Sequence, residues 1–343
     1  MKRRMILIIT MVMFLAACSQ NTQEQVSIMT WGGDFIPSEM IEQFEAETNI
    51  KVQLKEVTSN EEMQNLLENS AGQYDLAVVT DYMVDILRQN RTIQKFDQNQ
   101  LEYFSALDEN YLYKYYDETS EYSIPYTVST AVMVYNAEKV DQTIDSYNAL
   151  WDETFKNSVV TIDGAVEVMG IVSKVLGQKV NDPDPQAISA VKEKLFSLKE
   201  QIVRFETNTP QDSLLNGEAN LGFMYSNQAA KAIQENPNMV PVFAKEGIPI
   251  YIDAFVMAKD APNPEHAYAF LNFMMKPENS AKTSEIIQFT NVNKEAKAYL
   301  SEAFLANPLL NMPAAVAENT FFYTNLEKVI DQYEDIYTEF KLQ

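Results

Sequence analysis

From residue 26 onward the chain alternates between two hydrophobic rhythms, and this alternation constrains its architecture more than any other feature. Residues 26–30 form a short apolar run, and Pro37 then opens a helix with Met40, Ile41 and Phe44 on one face. Residues 50–54 alternate as a strand, Asn60 is placed to cap a helix reaching Asn69, and residues 75–79 read as a buried strand. Asp81 starts the next segment, with Met83, Ile86 and Leu87 at helical spacing. The middle repeats the theme, with a strand at 159–162 leading into a helix through Leu176. Asp184-Pro185 and Pro210 open further helices, the second ending at Asn216-Gly217, and residues 219–224 and 250–257 read as strands. A helix from Asn263-Pro264 stops before Pro277, and apolar residues at 326, 329, 330, 333, 337 and 340 make the tail a docking helix. Strands alternating with helices predict an α/β sheet covered on both faces. No repeat or low-complexity linker divides the chain, so two lobes would have to be joined by strands.

The residues before this body are of a different kind. Met1-Lys2-Arg3-Arg4 is basic, residues 5–15 are apolar apart from Thr10, and Leu15-Ala16-Ala17-Cys18 follows. These are the parts of a secretory signal, too short for a spanning helix of about 20 apolar residues. Leu-Ala-Ala-Cys resembles the bacterial lipobox, in which the cysteine is lipidated and becomes the first mature residue. Residues 1–17 are therefore expected to be a lipoprotein signal peptide, and residues 18–25 the lipidated Cys18 with a polar spacer. Cys18 is the only cysteine. An exported body without another has no internal disulfide and no thiolate metal site, so burial must hold the fold. The 26 basic and 49 acidic residues give −23, and removing Lys2, Arg3 and Arg4 leaves 23 against 49, a net −26. Such a surface repels nucleic acid and attracts cations at long range.

Enzymatic constellations are mostly missing. His266 is the sole histidine, beside the apolar face of a predicted helix, where a packed or half-exposed ring fits. Without a second histidine or a body cysteine, Ser-His and Cys-His pairs and a His-rich zinc site are disfavoured. No phosphate- or dinucleotide-binding glycine pattern occurs among the 9 glycines, and no cofactor is expected. Hydrolysis by a carboxylate pair stays open, since acids are plentiful.

What stands out is a set of acids beside aromatics at strand ends. Trp31-Gly32-Gly33-Asp34-Phe35 follows the first strand and Thr80-Asp81-Tyr82 the third. Asp163 and Glu167, one helical turn apart, follow the strand at 159–162, and Tyr251-Ile252-Asp253 lies within the strand from 250. Ligands of α/β sheets bind outside the carboxyl ends of strands, so most of these groups are expected in one crevice. An ammonium is expensive to desolvate unless it meets a carboxylate or a ring face. Cation–π contacts of ~0.5–2 kcal/mol and charge-assisted hydrogen bonds of ~1.5–3 kcal/mol favour a diamine over a sugar.

At these residues the sequence resembles the spermidine/putrescine-binding proteins of bacterial polyamine ABC transporters, across about residues 26–343. Thr30-Trp31-Gly32-Gly33-Asp34-Phe35 is similar to the family's first strand and turn, and residues 43–52 match a family segment closely. Tyr74-Asp75-Leu76, Tyr122-Ser123-Ile124-Pro125-Tyr126, residues 217–222 and Lys245-Glu246-Gly247 keep the family's order and spacing.

The resemblance implies a two-lobed periplasmic-binding-protein fold, a clamshell with hinge strands between lobes near Thr130 and Asp253. Residues 26–130 plus 254–319 are expected in lobe 1, and 131–253 plus 320–343 in lobe 2. It also implies that Trp31 and Phe35 stack on the ligand, that Asp34, Glu167 and Asp253 meet amines, and that Thr80 and Tyr82 form a polar pair. Tyr225, Tyr251, Phe289 and Tyr323 fall at further family pocket positions. Gly164 replaces an acid that some spermidine binders use, and Gly32-Gly33 lengthens the first turn by one residue. The implied partners are a polyamine, the permease subunits of an ABC transporter and a membrane reached through the lipid alone, with the receptor itself a monomer. The alternatives are another cationic solute or ferric iron on the same fold, with Tyr115-Tyr116 as an iron pair, an extracytoplasmic glycosidase, or a structural lipoprotein.

Overall fold

The computed structural model describes residues 24–324 and 326–342. Cys18 and the signal segment lie outside the described residues. Three strand–helix units open the body: β1 (Gln25–Trp31) with α1 (Ser38–Thr48), β2 (Lys51–Val57) with α2 (Asn60–Asn69), and β3 (Leu76–Thr80) with α3 (Asp81–Gln89). β2, β1 and β3 lie side by side in parallel. The expected helix openings hold at α1, which starts directly after Pro37 and buries Met40 and Phe44. At α2 the cap is Ser59, whose hydroxyl accepts the Glu62 N–H; Asn60, expected as the cap, is buried and bonded elsewhere.

The joining elements come next. After β4 (Ile93–Gln94), β5 (Ile124–Asn136) is 13 residues long and buried from end to end. The second half adds β6 (Val159–Thr161), α4 (Ala165–Val175), β7 (Ile202–Phe205), β8 (Leu221–Tyr225) and β9 (Met239–Val242). β10 (Ile248–Ala258) then returns towards the first half, and β11 (Thr320–Phe321) pairs at its start. The main path of the sheet runs β2-β1-β3-β10-β5-β8-β6-β7. β5 pairs with β10 up to Thr130, with β8 from Ala131 and with β9 from Met133, while β10 pairs with β3 from Asp253. Two long strands thus carry the chain between lobes, and they pair with each other where they cross.

One apolar core gathers Ile28, Phe44, Val78, Phe255 and Phe270 under the first lobe. A second gathers Met133, Tyr147, Val172, Phe223 and Tyr333 under the other, with a smaller cluster around Val132, Val134 and Met224 on the opposite sheet face. Phe304, Leu309 and Leu310 pack into that smaller cluster. This departs from the expected boundary, which kept everything to residue 319 in lobe 1. Val132 and Val134 leave an apolar sheet face to cover, and the segment carrying these three side chains covers it. The tail docks as expected, through a helix at Ile330–Leu342 that buries Tyr333, Tyr337 and Phe340. Among the described residues no helix is long and apolar enough to cross a membrane.

Candidate functional site

A cleft of about 570 Å³ opens between the lobes, walled by the ends of β1 and β3, the middle of β10, the N-terminus of α4, the end of β8 and Tyr323. On the first lobe its centre is Asp253, which is 7 % exposed. The Trp31 indole N–H donates to its Oδ1 at 3.2 Å and the Thr80 hydroxyl to the same oxygen at 3.1 Å. Asn60 braces Thr80 from α2, giving its amide to the Thr80 hydroxyl and, at 2.8 Å, to the Tyr82 hydroxyl. Burial pushes the Asp253 carboxyl up to about 6, against the bonds from Thr80 and Trp31 that pull it down.

On the second lobe the centre is Glu167, in the first turn of α4. Its Oε1 accepts the Tyr225 hydroxyl at 2.9 Å. Burial raises its pKa, while its own backbone N–H and Tyr225 oppose the rise. Gly164, just before the helix, makes this placement possible: a Cβ there would lie 2.2 Å from Glu167 Oε2. Tyr251 joins the walls, edge-on to Tyr225 with ring centres 5.8 Å apart and stacked on Tyr323 at 5.6 Å. Tyr323 fits against α4 because residue 170 is glycine; a Cβ there would fall 2.2 Å from its ring.

Of the residues singled out from sequence, Trp31, Thr80, Asp81, Tyr82, Asp163, Glu167, Tyr225, Tyr251, Asp253, Phe289 and Tyr323 line this one cleft. Asp34 does not. The turn puts it in the left-handed region at φ 62, exposed, with its carboxylate accepting the Ser38 N–H at the start of α1. Phe35 also stands behind the wall, edge-on to Phe289 and Tyr126. Two lining acids are already occupied. Asp81 accepts the Tyr115 hydroxyl at 2.8 Å and the Ile252 N–H at 2.9 Å, so it holds β10 in place; burial pushes its carboxyl up to about 7. Asp163 pairs with Lys341 at 2.7 Å. Tyr115 is thus committed to Asp81 and Tyr116 is 2 % exposed, so the tyrosine pair weighed for iron does not open on the cleft. Among the described residues no cluster of His, Cys, Asp or Glu is arranged to hold a metal ion. His266 is half-exposed, its ring bonded to the Gln25 carbonyl.

Sequence reading missed Asn60 as a site residue, and with it Ser129 on β5 and two acids at the mouth, Glu61 from α2 and Glu334 from the last helix. Glu334 has its pKa raised by partial desolvation and by Glu61 opposite. The described residues lining the cleft therefore include six carboxylates (Glu61, Asp81, Asp163, Glu167, Asp253 and Glu334) and no lysine, arginine or histidine. With Trp31, Tyr82, Tyr225, Tyr251, Phe289 and Tyr323 around them, the chemistry suits a cation with apolar spacers.

Similarity to known proteins points the same way. The spermidine/putrescine-binding periplasmic protein of Escherichia coli is 31% identical over 310 residues, covering 90% of this chain and 89% of its own. That of Salmonella typhimurium is 30% identical, covering 95% and 94%. The solved structure of a spermidine/putrescine ABC transporter substrate-binding protein from Streptococcus pneumoniae superposes with a TM-score of 0.82 at 28% identity, covering 93% of this chain and 99% of that one. These neighbours share the two-lobed fold. Residues 39–313 match the model of the bacterial extracellular solute-binding protein family, and the chain belongs to that family.

Proposed function

We propose that this protein captures a polyamine, putrescine or spermidine, in the interlobe cleft and delivers it to the permease of an ABC transporter. It acts as a receptor and not as an enzyme. The observation that carries the ligand class is the cleft lining, with six carboxylates and no basic side chain among aromatic walls. Asp253 neutralises one ammonium from the first lobe and Glu167 another from the second. Trp31, Tyr225 and Tyr251 pack on the methylenes between them, where each buried CH₂ contributes ~0.8 kcal/mol. Engaging both walls at once favours the closed form, the standard response of a hinged two-lobe receptor. Titration calorimetry with putrescine, spermidine and a neutral diol tests the reading. Binding of the amines alone is expected, and no amine binding below about millimolar would sink it.

The same reading places the receptor as a monomer outside the cytoplasmic membrane, tethered through lipid on Cys18. A tether raises the receptor's effective concentration at its permease. One acyl chain holds a protein only marginally, so the anchor requires at least a diacyl modification. Cys18→Ser is expected to release the protein to the medium or leave it uncleaved; membrane retention after correct processing would contradict the tether.

A further inference from the structure

We propose that Asp81 is a positioning residue, one side chain that sets both walls of the cleft: it fixes the strand beside Asp253 directly and Tyr323 through Tyr115. The inference rests on the polyamine reading and adds to it a residue that shapes the site without touching the ligand. β3 pairs with β10 as far as Thr80 and Asp253, and there the chain turns into α3. The N–H of Ile252, one residue beyond the end of that ladder, donates to Asp81 Oδ2 at 2.9 Å. The side chain thus carries the pairing one step past the strand. On the other flank of β10 the register with β5 shifts between Asp253 and Ala254. Such an irregularity re-aims the side chain beside it, and Asp81 braces β10 next to that step.

The other oxygen is tied to the second wall. Oδ1 accepts the Tyr115 hydroxyl at 2.8 Å, and the Tyr115 ring packs against Phe322 with ring centres 5.5 Å apart. Phe322 packs on the first lobe's core, while its neighbour Tyr323 is buried in the second. Tyr323 in turn donates its hydroxyl to the Glu167 carbonyl at 3.3 Å. Both oxygens of Asp81 are therefore engaged by protein groups, and the residue is 2 % exposed. The titratable groups that face it are Asp253 from β10, Tyr82 from its own helix, and Tyr115 and Tyr116 from the loop before β5, none of them cationic. What Asp81 contributes is the geometry of two accepted bonds. An amide of the same shape can keep both contacts, accepting from Ile252 and donating to the Tyr115 oxygen.

Two measurements on the full receptor test this: calorimetry with putrescine and spermidine, and Trp31 emission without ligand. Trp31 donates to Asp253, so its emission follows the placement of that carboxylate. Trp151, the other tryptophan, lies under Lys194 in the second lobe, and Trp151→Phe leaves Trp31 as the single emitter. Asp81→Ala is expected to weaken amine binding about tenfold and to shift the emission. Asp81→Asn is expected to recover most of the affinity and the wild-type emission. Tyr115→Phe keeps the ring and loses one bond, so a loss of about threefold is expected, and it carries the test if Asp81→Ala does not fold. Binding as weak in Asp81→Asn as in Asp81→Ala would make charge the contribution and overturn the positioning role. Wild-type affinity and emission in Asp81→Ala would overturn it as well, and wild-type affinity in Tyr115→Phe would break the tie to the second wall. Failure of both amines to bind the wild type would overturn the polyamine reading instead; the emission series needs no ligand and would still decide the role of Asp81.

Discussion

The two walls of the cleft hold their carboxylates in opposite ways. Asp253 sits in mid-strand, paired with β3 on one side and β5 on the other, and is oriented by Trp31 and Thr80 from positions 222 and 173 residues away. Glu167 stands at the open end of a helix, held by its own backbone N–H and one tyrosine, in space that a glycine clears. The first arrangement is built by tertiary contacts and is already shaped for a ligand. The second rests on a helix end, where the placement turns on what occupies residue 164, with a single side-chain bond from Tyr225 of β8. Preorganised charge is worth more at binding because no ordering remains to be done.

That contrast can be broken or sharpened by mutation. The largest expected effect is at the strand: Asp253→Asn keeps the shape but removes the charge, and polyamine affinity should fall about 100-fold, the upper end for a charged hydrogen bond. Calorimetry reads the loss, and a matching loss in Glu167→Gln would erase the distinction between walls. For Glu167→Gln itself the expected loss is about tenfold. Smaller still is Gly164→Ala, whose methyl must displace the Glu167 carboxylate; a loss of about threefold is expected. Unchanged affinity there would show that the carboxylate finds another way in.

The smallest effect is on stability without ligand. Asp253 and Asp81 titrate near 6 and 7 when folded, above their ordinary value of 3.8, so the folded state binds more protons between these limits. Stability of the empty receptor should therefore fall as pH rises from about 4 to about 7 and level off above. Asp253→Asn should melt a few degrees (~2–4 °C) higher than wild type at pH 8 and show no such gain at pH 4. A wild-type melting temperature that climbs steadily from pH 4 to pH 7 would contradict the burial of these charges.

The same contrast explains what the sequence made legible. Glu167 follows a readable strand and helix start, and Trp31, Thr80 and Tyr82 sit at the ends of strands whose rhythm is plain. β5 was not legible as a strand. Buried on both faces, it shows no alternation, and Pro125 with its serines and threonines further masks it. Ser129 was hidden with it. Asp34 went astray for a conformational reason: with Gly33 and Asp34 both at positive φ, the turn aims the acid at the start of α1 instead of into the cleft. The lobe boundary failed because Phe304, Leu309 and Leu310 choose a sheet face that only the tertiary fold exposes.

The lining that carries no positive charge has a cost in a salty envelope. The lining carboxylates that remain open to the cleft, Asp253 and Glu167 among them, attract inorganic cations as well as amines. The rings supply the discrimination. A hydrated ion gains nothing from Trp31 or Tyr251, whereas four methylenes laid on such walls contribute about 3 kcal/mol, a preference of about 100-fold. Inorganic cations would then act as weak competitors that a polyamine readily displaces.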